Sequence, residues 1–336
     1  MHLLKKHDKI NIMFLKHVVT DWMNTKGGIT MENRNYENVL EQLERAGLKV
    51  ELHRSDDGDI LARIANLSVI VSLEKHKNPP IPRGFKYVEG YWNHGFIIER
   101  ETDGSQFVWV PVDSLPEDGT SDGVNFNDKF GRRTFGIGSL PDNQKLDSTL
   151  EEMVDKILQV ESVTRYGGFY ISRYNISRDD EGMPQSKAGF LPIVNITYND
   201  AKKEASDMVK GVGVTSHLIY AEEYDSVLAW LISSKTKNIL EISRDSTMWG
   251  NYQNMNKVPH GLAKTGSSEN CCVNGIYGLA GNIREWTQES NKSEYRVSRG
   301  GCFNDAGYSS PVFKRHNDDP NRIYSEVGFR VALCIE

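Results

Sequence analysis

Four glycines in the last third of the chain, each close to a large aromatic side chain or an arginine, most constrain its fold. Glycine adopts positive φ and allows close backbone approach where a Cβ would clash. Aromatic side chains fill a core, and arginine ties strands and loops together through its forked donors. These patterns predict tight turns around an aromatic core. The residues with this structural role are Gly281, Trp286, Arg299, Gly300, Gly301, Gly328, Phe329 and Arg330.

Three sequence motifs carry these residues in a fixed order. They are Ile276-Tyr-Gly-Leu-Ala-Gly-Asn-Ile-Arg-Glu-Trp-Thr287, Arg296-Val-Ser-Arg-Gly-Gly301 and Gly328-Phe-Arg-Val-Ala-Leu333. In this order they resemble the GN-x-x-EW, RGG and GFR signatures of the formylglycine-generating (sulfatase-modifying) enzyme family. Looser upstream matches, at Phe107-Val-Trp-Val-Pro111 and from Tyr166 to Tyr174, extend the resemblance over residues 84–334. The resemblance implies an α+β domain of the C-type lectin-like fold, in its formylglycine-generating-enzyme variant.

The copper site of that family needs two cysteines, and this sequence lacks both. The resemblance places them a few residues after RGG and five residues later, where Asp305 and Ser310 stand. Thiolates are the soft ligands that bind copper, and aspartate and serine cannot replace them. Cys302 lies three residues too early and has no partner at the family spacing. We therefore expect no copper, no oxidase activity and no catalytic residues.

A calcium site is the other metal site that the resemblance implies. It would use carbonyl groups near Gly281 and Ile283 together with the carboxylate of Glu285. A further side-chain ligand falls on Gly278, which has no side chain to offer. Glu285 is therefore the single candidate metal ligand. Calcium stays open, and no other cofactor is expected.

The polar segment from Cys302 to Val327 stands where the family has its active site. Its tyrosines and small polar residues are typical of a paratope, although ordinary polar loops have a similar composition. Lectin-fold proteins of phage tails and of diversity-generating retroelements present this region as a receptor-binding face, and the resemblance implies the same use here. The residues that we expect to project from loops and bind a ligand are Asn304, Asp305, Tyr308, Arg315, His316, Asn317, Asp318, Asn321 and Tyr324.

Charge and hydropathy restrict the class of partner. The formal net charge is −6 at pH 7, so the broad basic surface that nucleic-acid binding requires is not expected. The sequence contains no stretch of 18 apolar residues, so no membrane span is predicted. The short apolar run from Ile10 to Phe14 is followed by charged residues and does not match a secretory signal peptide. We expect the chain to fold in a cytoplasm.

The segment Lys77-Asn-Pro-Pro-Ile-Pro-Arg83 predicts a boundary, because three prolines in four residues forbid a helix and hold the chain extended. Residues 1–76 predict a small α/β unit, with a helix from Tyr36 to Ala46 and strands at Leu48 to His53 and Ile60 to Leu73. No catalytic pattern occurs in this unit. We expect it to serve attachment or oligomerisation, with residues 77–83 as the linker.

Within residues 84–334, helical spacing predicts three helices, from Leu150 to Val160, Tyr198 to Val209 and Ala221 to Ser233. The polar stretch from Val112 to Ser148 predicts a long surface loop. Cysteine usage favours free, buried thiols at Cys271, Cys272, Cys302 and Cys334. A Cys302–Cys334 bridge stays open, since both residues fall in the C-terminal strand region.

These patterns favour a non-enzymatic binding protein. Proteins with the similar pattern IP-x-GF-x-YV, FVWVPV and GN-x-x-EW occur in gut bacteria and their phages. The resemblance therefore implies a phage virion component, made in the host cytoplasm, that displays a lectin-like domain to a cell-surface receptor or glycan. It would join other virion proteins through its N-terminal unit, as a homo-oligomer. The alternatives are a metal-dependent oxidoreductase with altered chemistry and a bacterial surface or scaffold protein, in the cytoplasm or at the cell surface.

Overall fold

The computed structural model describes residues 50–54, 60–64, 67–71, 79–90, 92–112, 130–133, 135, 150–255, 261–291 and 294–336. The chain divides into two compact units, Met1–Asn78 and Pro79–Glu336. This division falls inside the proline-rich segment 77–83. The helix predicted from Tyr36 to Ala46 lies outside the described residues.

The first unit contains a three-stranded antiparallel sheet. Its strands are β1 (Val50–Arg54), β2 (Ile60–Ile64) and β3 (Leu67–Val71), in that order. Val50 pairs with Ile64, and Ile60 pairs with Val71. The strand-like sequence from Ile60 to Leu73 thus contains two strands that fold back on each other.

The second unit is built on a seven-stranded antiparallel sheet whose order is β10-β11-β18-β7-β6-β5-β4. Its strands are β4 (Phe85–Glu89), β5 (Ile97–Arg100), β6 (Gln106–Pro111), β7 (Gly168–Ser172), β10 (Lys210–Gly211), β11 (Val214–Leu218) and β18 (Val331–Ile335). The central strands β6, β7 and β18 are almost wholly buried, which explains their continuous apolar sequences. A short hairpin of β8 (Ser177–Arg178) and β9 (Pro184–Gln185) follows β7.

Four α-helices are described in this unit: α1 (Leu150–Tyr166), α2 (Tyr198–Met208), α3 (Ala221–Ser233) and α4 (Ile239–Ser243). The predictions for α2 and α3 are confirmed. The α1 helix continues past the predicted end at Val160 because Val163 is still buried. It stops at Gly167, which has φ of +76° and donates its N–H to the carbonyl of Val163, as a C-terminal glycine does. Among the residues that the structure describes, no helix is both long and apolar enough to cross a bilayer.

A second, four-stranded sheet has the order β16-β15-β14-β17. Its strands are β14 (Arg284–Asn291), β15 (Tyr295–Arg299), β16 (Arg315–Asp318) and β17 (Val327–Phe329). β14 pairs with β15 in antiparallel orientation and with β17 in parallel orientation, so that Trp286 lies opposite Phe329. The smaller pair β12 (Cys272–Val273) and β13 (Ile276–Tyr277) precedes this sheet. The three sequence motifs therefore meet as neighbouring strands.

The aromatic core lies between these elements. Trp286 and Phe329 are fully buried and belong to one apolar cluster with Trp109 and Tyr170. Trp286 also donates its indole N–H to the carbonyl of Ile196 at 3.1 Å. The predicted α+β class and the predicted core role of the motif aromatics are confirmed.

The prediction of a surface loop from Val112 to Ser148 is wrong for the residues of this stretch that the structure describes after Val112. Phe130, Arg132, Arg133 and Phe135 are buried. Phe130 packs edge-on against Phe169, and Phe135 packs edge-on against Phe313. Both phenylalanines are therefore core residues, although the sequence around them is polar on average.

Candidate functional site

The turn before β14 holds two consecutive residues in the left-handed region. Gly281 has φ of +70° and Asn282 has φ of +62°. A Cβ on Gly281 would lie 2.4 Å from the carbonyl oxygen of Asn251, so that only glycine fits. Asn282 is a residue type that tolerates this conformation. Both positions therefore have a backbone conformation that suits the residue found there.

The other motif glycines are required by close backbone approach. Gly300 and Gly301 have φ of +101° and +72°. A Cβ on Gly301 would lie 2.5 Å from the carbonyl oxygen of Ser310, and one on Gly328 would lie 2.0 Å from that of Ile193. The φ of Gly328 is not in the left-handed region, so close approach alone selects glycine there. The contact of Gly301 with Ser310 holds the start of the segment after β15 against a later part of the same segment.

A buried network of four charges underlies this segment. Arg299 binds Asp225 at 2.7 Å and Glu289 at 3.2 Å, and Arg315 binds the same two carboxylates at 2.7 and 2.6 Å. All four side chains are almost completely buried. Burial by itself would raise the pKa of Glu289, but Arg315 and Arg299 lower it to about 2. The two arginines and the two carboxylates therefore form a compact set of buried ion pairs.

Two residues predicted to bind a ligand belong to this interior instead. Arg315 is only 3% exposed, and its guanidinium is engaged by Asp225 and Glu289. Asp318 is buried as well and accepts a hydrogen bond from the hydroxyl of Ser298. Both lie on β16, which pairs with β15 and is not a loop. The expectation that they project toward a ligand is wrong, because polar composition does not separate buried ion pairs from surface contacts.

The positions of the family cysteines do not fit a copper ion. The Asp305 carboxylate accepts hydrogen bonds from the backbone N–H of Cys302 at 3.1 Å and from its thiol at 3.3 Å. Burial, and then the nearby Asp305 charge, raise the pKa of the Cys302 thiol to about 11, so it stays protonated. Ser310 is buried and has a hydroxyl in place of a thiol. An aspartate that accepts from a neutral thiol is not a soft metal site.

The four cysteines are free thiols, and the bridge between Cys302 and Cys334 does not form. Cys334 lies on β18 in the seven-stranded sheet, whereas Cys302 lies in the segment after β15. The expectation that both residues share one strand region does not hold. Burial raises the pKa of the Cys334 thiol to about 11, as it does for Cys302. Both behave as small buried apolar side chains.

The residues around Glu285 fit an internal ion pair better than a calcium ion. The Glu285 carboxylate accepts from the Asn175 amide at 2.6 Å and lies 3.0 Å from the Arg330 guanidinium. Burial raises its pKa despite the opposing effect of Arg330. A Cβ on Gly278 would lie 2.7 Å from the Asn175 amide oxygen, so Asn175 fills the place of a further ligand. In the described part of the chain, no three His, Cys, Asp or Glu side chains form a metal-binding group.

His316 and Tyr324 are half-buried at the margin of the predicted face. Burial, and then Arg284 and Lys314, lower the pKa of His316 to about 4, so it is neutral near pH 7. The Tyr324 hydroxyl accepts from the backbone N–H of Asp319 at 3.1 Å, and its ring packs edge-on against Trp286. The Tyr324 side chain therefore has internal contacts that hold it in place, and His316 is a partly buried neutral ring beside it in the segment.

Of the predicted contact residues, four are exposed: Asn304, Tyr308, Asn317 and Asn321. Tyr308 is 66% exposed and is the most prominent of the predicted contact residues. Asp305 is half-exposed, with its carboxylate turned to Cys302. Ile323, which composition did not suggest, is 59% exposed on the same segment.

One distant contact of this segment could not be found from the sequence. A Cβ on Gly307 would lie 2.4 Å from the backbone nitrogen of Thr247, so the two backbones lie close together. Met248, the next residue along the chain, is 66% exposed. Asn254 joins the same surface, because its amide oxygen accepts the N–H of Gly307 at 3.3 Å. These contacts join positions about 50 to 60 residues apart, and no local motif marks them.

Known proteins were compared with the chain at the level of sequence and structure. No curated protein sequence matches it. Treponema denticola variable protein 1 is similar, at 14% identity and a TM-score of 0.37, over 51% of this chain and 85% of that protein. PvdO from Pseudomonas aeruginosa shows 17% identity and a TM-score of 0.45, over 72% of this chain and 98% of that protein. CarF shows 13% identity and a TM-score of 0.36, over 50% and 87%.

The family described as the sulfatase-modifying factor enzyme 1-like domain matches residues 160–335, slightly more than half of the chain. The matched region includes the turn before β14, the glycines after β15 and the parallel strand β17. Its mixed helices and curled sheets fit the C-type lectin-like fold, as the sequence motifs predicted. The chain belongs to the sulfatase-modifying factor enzyme 1-like (formylglycine-generating enzyme) family.

Proposed function

We propose that this chain is a non-enzymatic binding protein that uses the segment between β15 and β17 as its recognition surface. The observation that carries the proposal is the arrangement at the family cysteine positions. Asp305 accepts from the protonated thiol of Cys302, and Ser310 is buried, so the oxidase chemistry has no ligand pair. On the same segment Tyr308 leaves two thirds of its side chain in solvent.

The exposed residues have the chemistry of a recognition surface. Tyr308 supplies a rigid aromatic area, and Asn304, Asn317 and Asn321 supply amides that can donate and accept. The Arg299 and Arg315 network fixes the backbone beneath them, which lowers the ordering cost on binding. A rigid base with exposed aromatic and amide groups favours a cell-surface receptor or glycan as the partner.

The finer proposal concerns the setting in which the surface is used. The protein is a phage virion component, in the tail or as a capsid decoration, and is made in the host cytoplasm. Residues 1–76 attach it to other virion proteins as a homo-oligomer. Mass spectrometry of purified particles from a producing host tests this. The chain should be found in intact particles, and its presence only in the soluble host fraction contradicts the proposal.

The absence of oxidase activity has a direct test. Purified protein is mixed with Cu(I) and a sulfatase-type cysteine peptide, with a two-cysteine variant, Asp305→Cys and Ser310→Cys, as the comparison. We expect no one-to-one copper binding and no peptide oxidation by the native chain. Tight copper binding or oxidation by the native chain contradicts the non-enzymatic assignment.

The recognition surface is tested by adsorption of labelled protein to a panel of gut bacterial cells and to a glycan array. Loss of an interface tyrosine typically costs about 2 kcal/mol, roughly a 30-fold loss of affinity. Tyr308→Ala should show this loss with an unchanged melting temperature. Tyr295→Ala is the matched control, since Tyr295 is also exposed but lies at the start of β15. Equal adsorption by the two variants would remove Tyr308 from the surface.

A further inference from the structure

Two adjacent cysteines differ from the other two thiols of the chain in their access to solvent. Cys271 and Cys272 are free and partly exposed, so the expectation that all four thiols are buried is wrong for this pair. Cys302 and Cys334 are only 1% and 6% exposed. A thiol reagent in solution can therefore reach the adjacent pair in the folded chain, whereas the other two thiols are shielded.

The backbone of the pair is held on both sides. Cys271 ends a short 3₁₀ turn, Glu269–Cys271, and its carbonyl accepts the N–H of Gly278 at 3.0 Å. Cys272 begins β12 and lies opposite Tyr277 of β13. The two residues therefore keep their relative position without a ligand.

The change from turn to strand falls between the two cysteines. Within a β-strand, successive side chains point to opposite faces of the sheet. Cys271 belongs to the 3₁₀ turn and Cys272 to the strand, so this alternation does not separate their side chains. The Cα atoms of neighbouring residues are about 3.8 Å apart. Two thiols at this spacing can bond to one atom that lies between them.

Both thiols are protonated near neutral pH. Burial raises the pKa of the Cys271 thiol to about 11 against an opposing hydrogen bond with Ser268, and a charge on Cys272 raises it further. Burial also raises the pKa of the Cys272 thiol, although a hydrogen bond with Tyr277 lowers it. The two thiols are thus close enough to interact. A metal cation binds thiolates and would have to displace both protons.

A direct disulfide does not suit this spacing. Disulfide bonds usually join residues whose Cα atoms lie about 4.4–6.8 Å apart, which is more than the distance between neighbours. Closing one here would distort the peptide between Cys271 and Cys272, whose carbonyl is held by the N–H of Gly278. An atom that bridges the two sulfurs adds a second bond to the path between them and removes this restriction.

We propose that Cys271 and Cys272 together bind one trivalent arsenical, R–As(OH)₂, as a dithiol chelate. Each thiol forms an As–S bond, and its proton leaves with an arsenic hydroxyl group as water, so no atom changes its oxidation state. Arsenic is a soft centre, which matches sulfur ligands. The second As–S bond forms within the same chain, which strengthens binding by about 10²- to 10⁴-fold over a single-thiol adduct. The site uses no residue of the recognition surface and does not depend on the proposed function.

Phenylarsine oxide, which hydrates to the dihydroxide in water, is the probe for the folded full chain near neutral pH. Intact-mass spectrometry should show one phenylarsenic group per chain, and peptide mapping should place it on Cys271 and Cys272. The adduct should survive an excess of 2-mercaptoethanol, because a monothiol replaces one As–S bond at a time. It should be displaced by 2,3-dimercaptopropanol, which offers a competing chelate.

Cys272→Ser removes one sulfur atom and keeps a side chain of similar size. It should weaken arsenical binding by about 100-fold or more, and 2-mercaptoethanol should then remove the remaining adduct. Cys334→Ser is the matched control, because it makes the same change at a shielded thiol on β18. This control should bind the probe as the native chain does.

Any of four results overturns the proposal. The first is no adduct on the folded native chain. The second is removal of the native adduct by 2-mercaptoethanol, which would mean that single thiols react independently. The third is an adduct of Cys272→Ser that forms and resists the monothiol as the native one does, at a native melting temperature. The fourth is mapping of the phenylarsenic group to Cys302 or Cys334.

Discussion

The strands β14, β15 and β17 and the segment between β15 and β17 come from one stretch of chain, yet their side chains are held very differently. On the strands, Arg299 binds two carboxylates and Trp286 is fully buried with a bonded indole N–H. On the segment, Tyr308 and Ile323 leave more than half of their side chains in solvent. We expect the buried side chains of the strands to contribute most to stability, and the exposed side chains of the segment to contribute little.

Whether a side chain is buried or exposed in these two regions does not follow its polarity. Arg315 belongs to the segment by position, but its ion pairs assign it to the interior with Arg299. Tyr308 is apolar over most of its ring and is nevertheless outside. The number of partners that hold a side chain decides whether it supports the fold or is free to bind.

Trp286→Ala should give the largest loss of stability. Deleting a buried aromatic side chain typically costs about 3–5 kcal/mol, because a cavity replaces its contacts. Urea unfolding followed by circular dichroism measures the change. Tyr295→Ala, at an exposed aromatic position, should stay within about 0.5 kcal/mol. A loss below about 1 kcal/mol for Trp286→Ala would mean that the motif strands are not the stabilising region.

Arg315→Ala should cost nearly as much, although Arg315 lies in the segment. The change leaves Asp225 and Glu289 buried with one fewer counter-charge, and breaking a buried pair in this way costs about 3–5 kcal/mol. Tyr308→Ala, seven residues earlier in the printed sequence, should change the free energy of unfolding by less than about 0.5 kcal/mol. Similar losses of stability for the two variants would contradict the assignment of Arg315 to the interior and of Tyr308 to the surface.

Gly301→Ala and Gly182→Ala separate crowding from backbone strain. Both glycines have positive φ, +72° and +83°, and an alanine there costs about 1–2 kcal/mol from strain. Only at Gly301 would the new Cβ lie 2.5 Å from a backbone oxygen, whereas nothing lies within 4 Å at Gly182. Thermal unfolding should therefore show a clearly larger loss for Gly301→Ala. Equal losses would mean that the backbone after β15 shifts at little cost to accommodate the new Cβ.

The pH dependence of stability should report the burial of His316. Its folded pKa of about 4 lies below the ordinary value of 6.5, so the unfolded chain binds a proton in this range that the folded chain does not. The free energy of unfolding should therefore fall as pH drops from 6.5 to 4 and lose this contribution to the slope below 4. His316→Asn should reduce the slope in that window. An unchanged slope would mean that His316 is solvated.

The smallest effect is expected from removing residues 1–83. The comparison between strands and segment assumes that the second unit folds without the first. A fragment of residues 84–336 should unfold cooperatively, with a free energy within about 0.5 kcal/mol of the same transition in the full chain. Expression of this fragment as an unfolded chain would move the boundary away from the proline-rich segment.

The sequence predicted the features that local chemistry determines. Gly281 and Gly301 are predicted to be structural because glycine adopts a positive φ readily. The α3 helix was predicted to its ends because Tyr224, Val227, Leu228 and Leu231 repeat at helical spacing. These requirements are local, so a single sequence reveals them.

Features that depend on distant partners were not predicted. Arg315 binds Asp225, which lies 90 residues away, and a single sequence does not show that pairing. Phe130 and Phe135 lie in a polar stretch and are buried only because Phe169 and Phe313 meet them. Thr247 lies against Gly307, 60 residues further along the chain, and no motif marks this contact.

The parallel pairing of β14 with β17 has a consequence for how this protein can change. The chain leaves this sheet after β15, returns to it at β16 and leaves again before β17, which pairs beside Trp286, so the sheet closes both excursions. Once the ends of such an excursion are held together, lengthening it is inexpensive in entropy, at about 0.6 kcal/mol for each doubling of its length. Insertions between Ala306 and Ser309, or around Asn321, should therefore be accepted without loss of folding, and new sequences can be presented there on an unchanged frame.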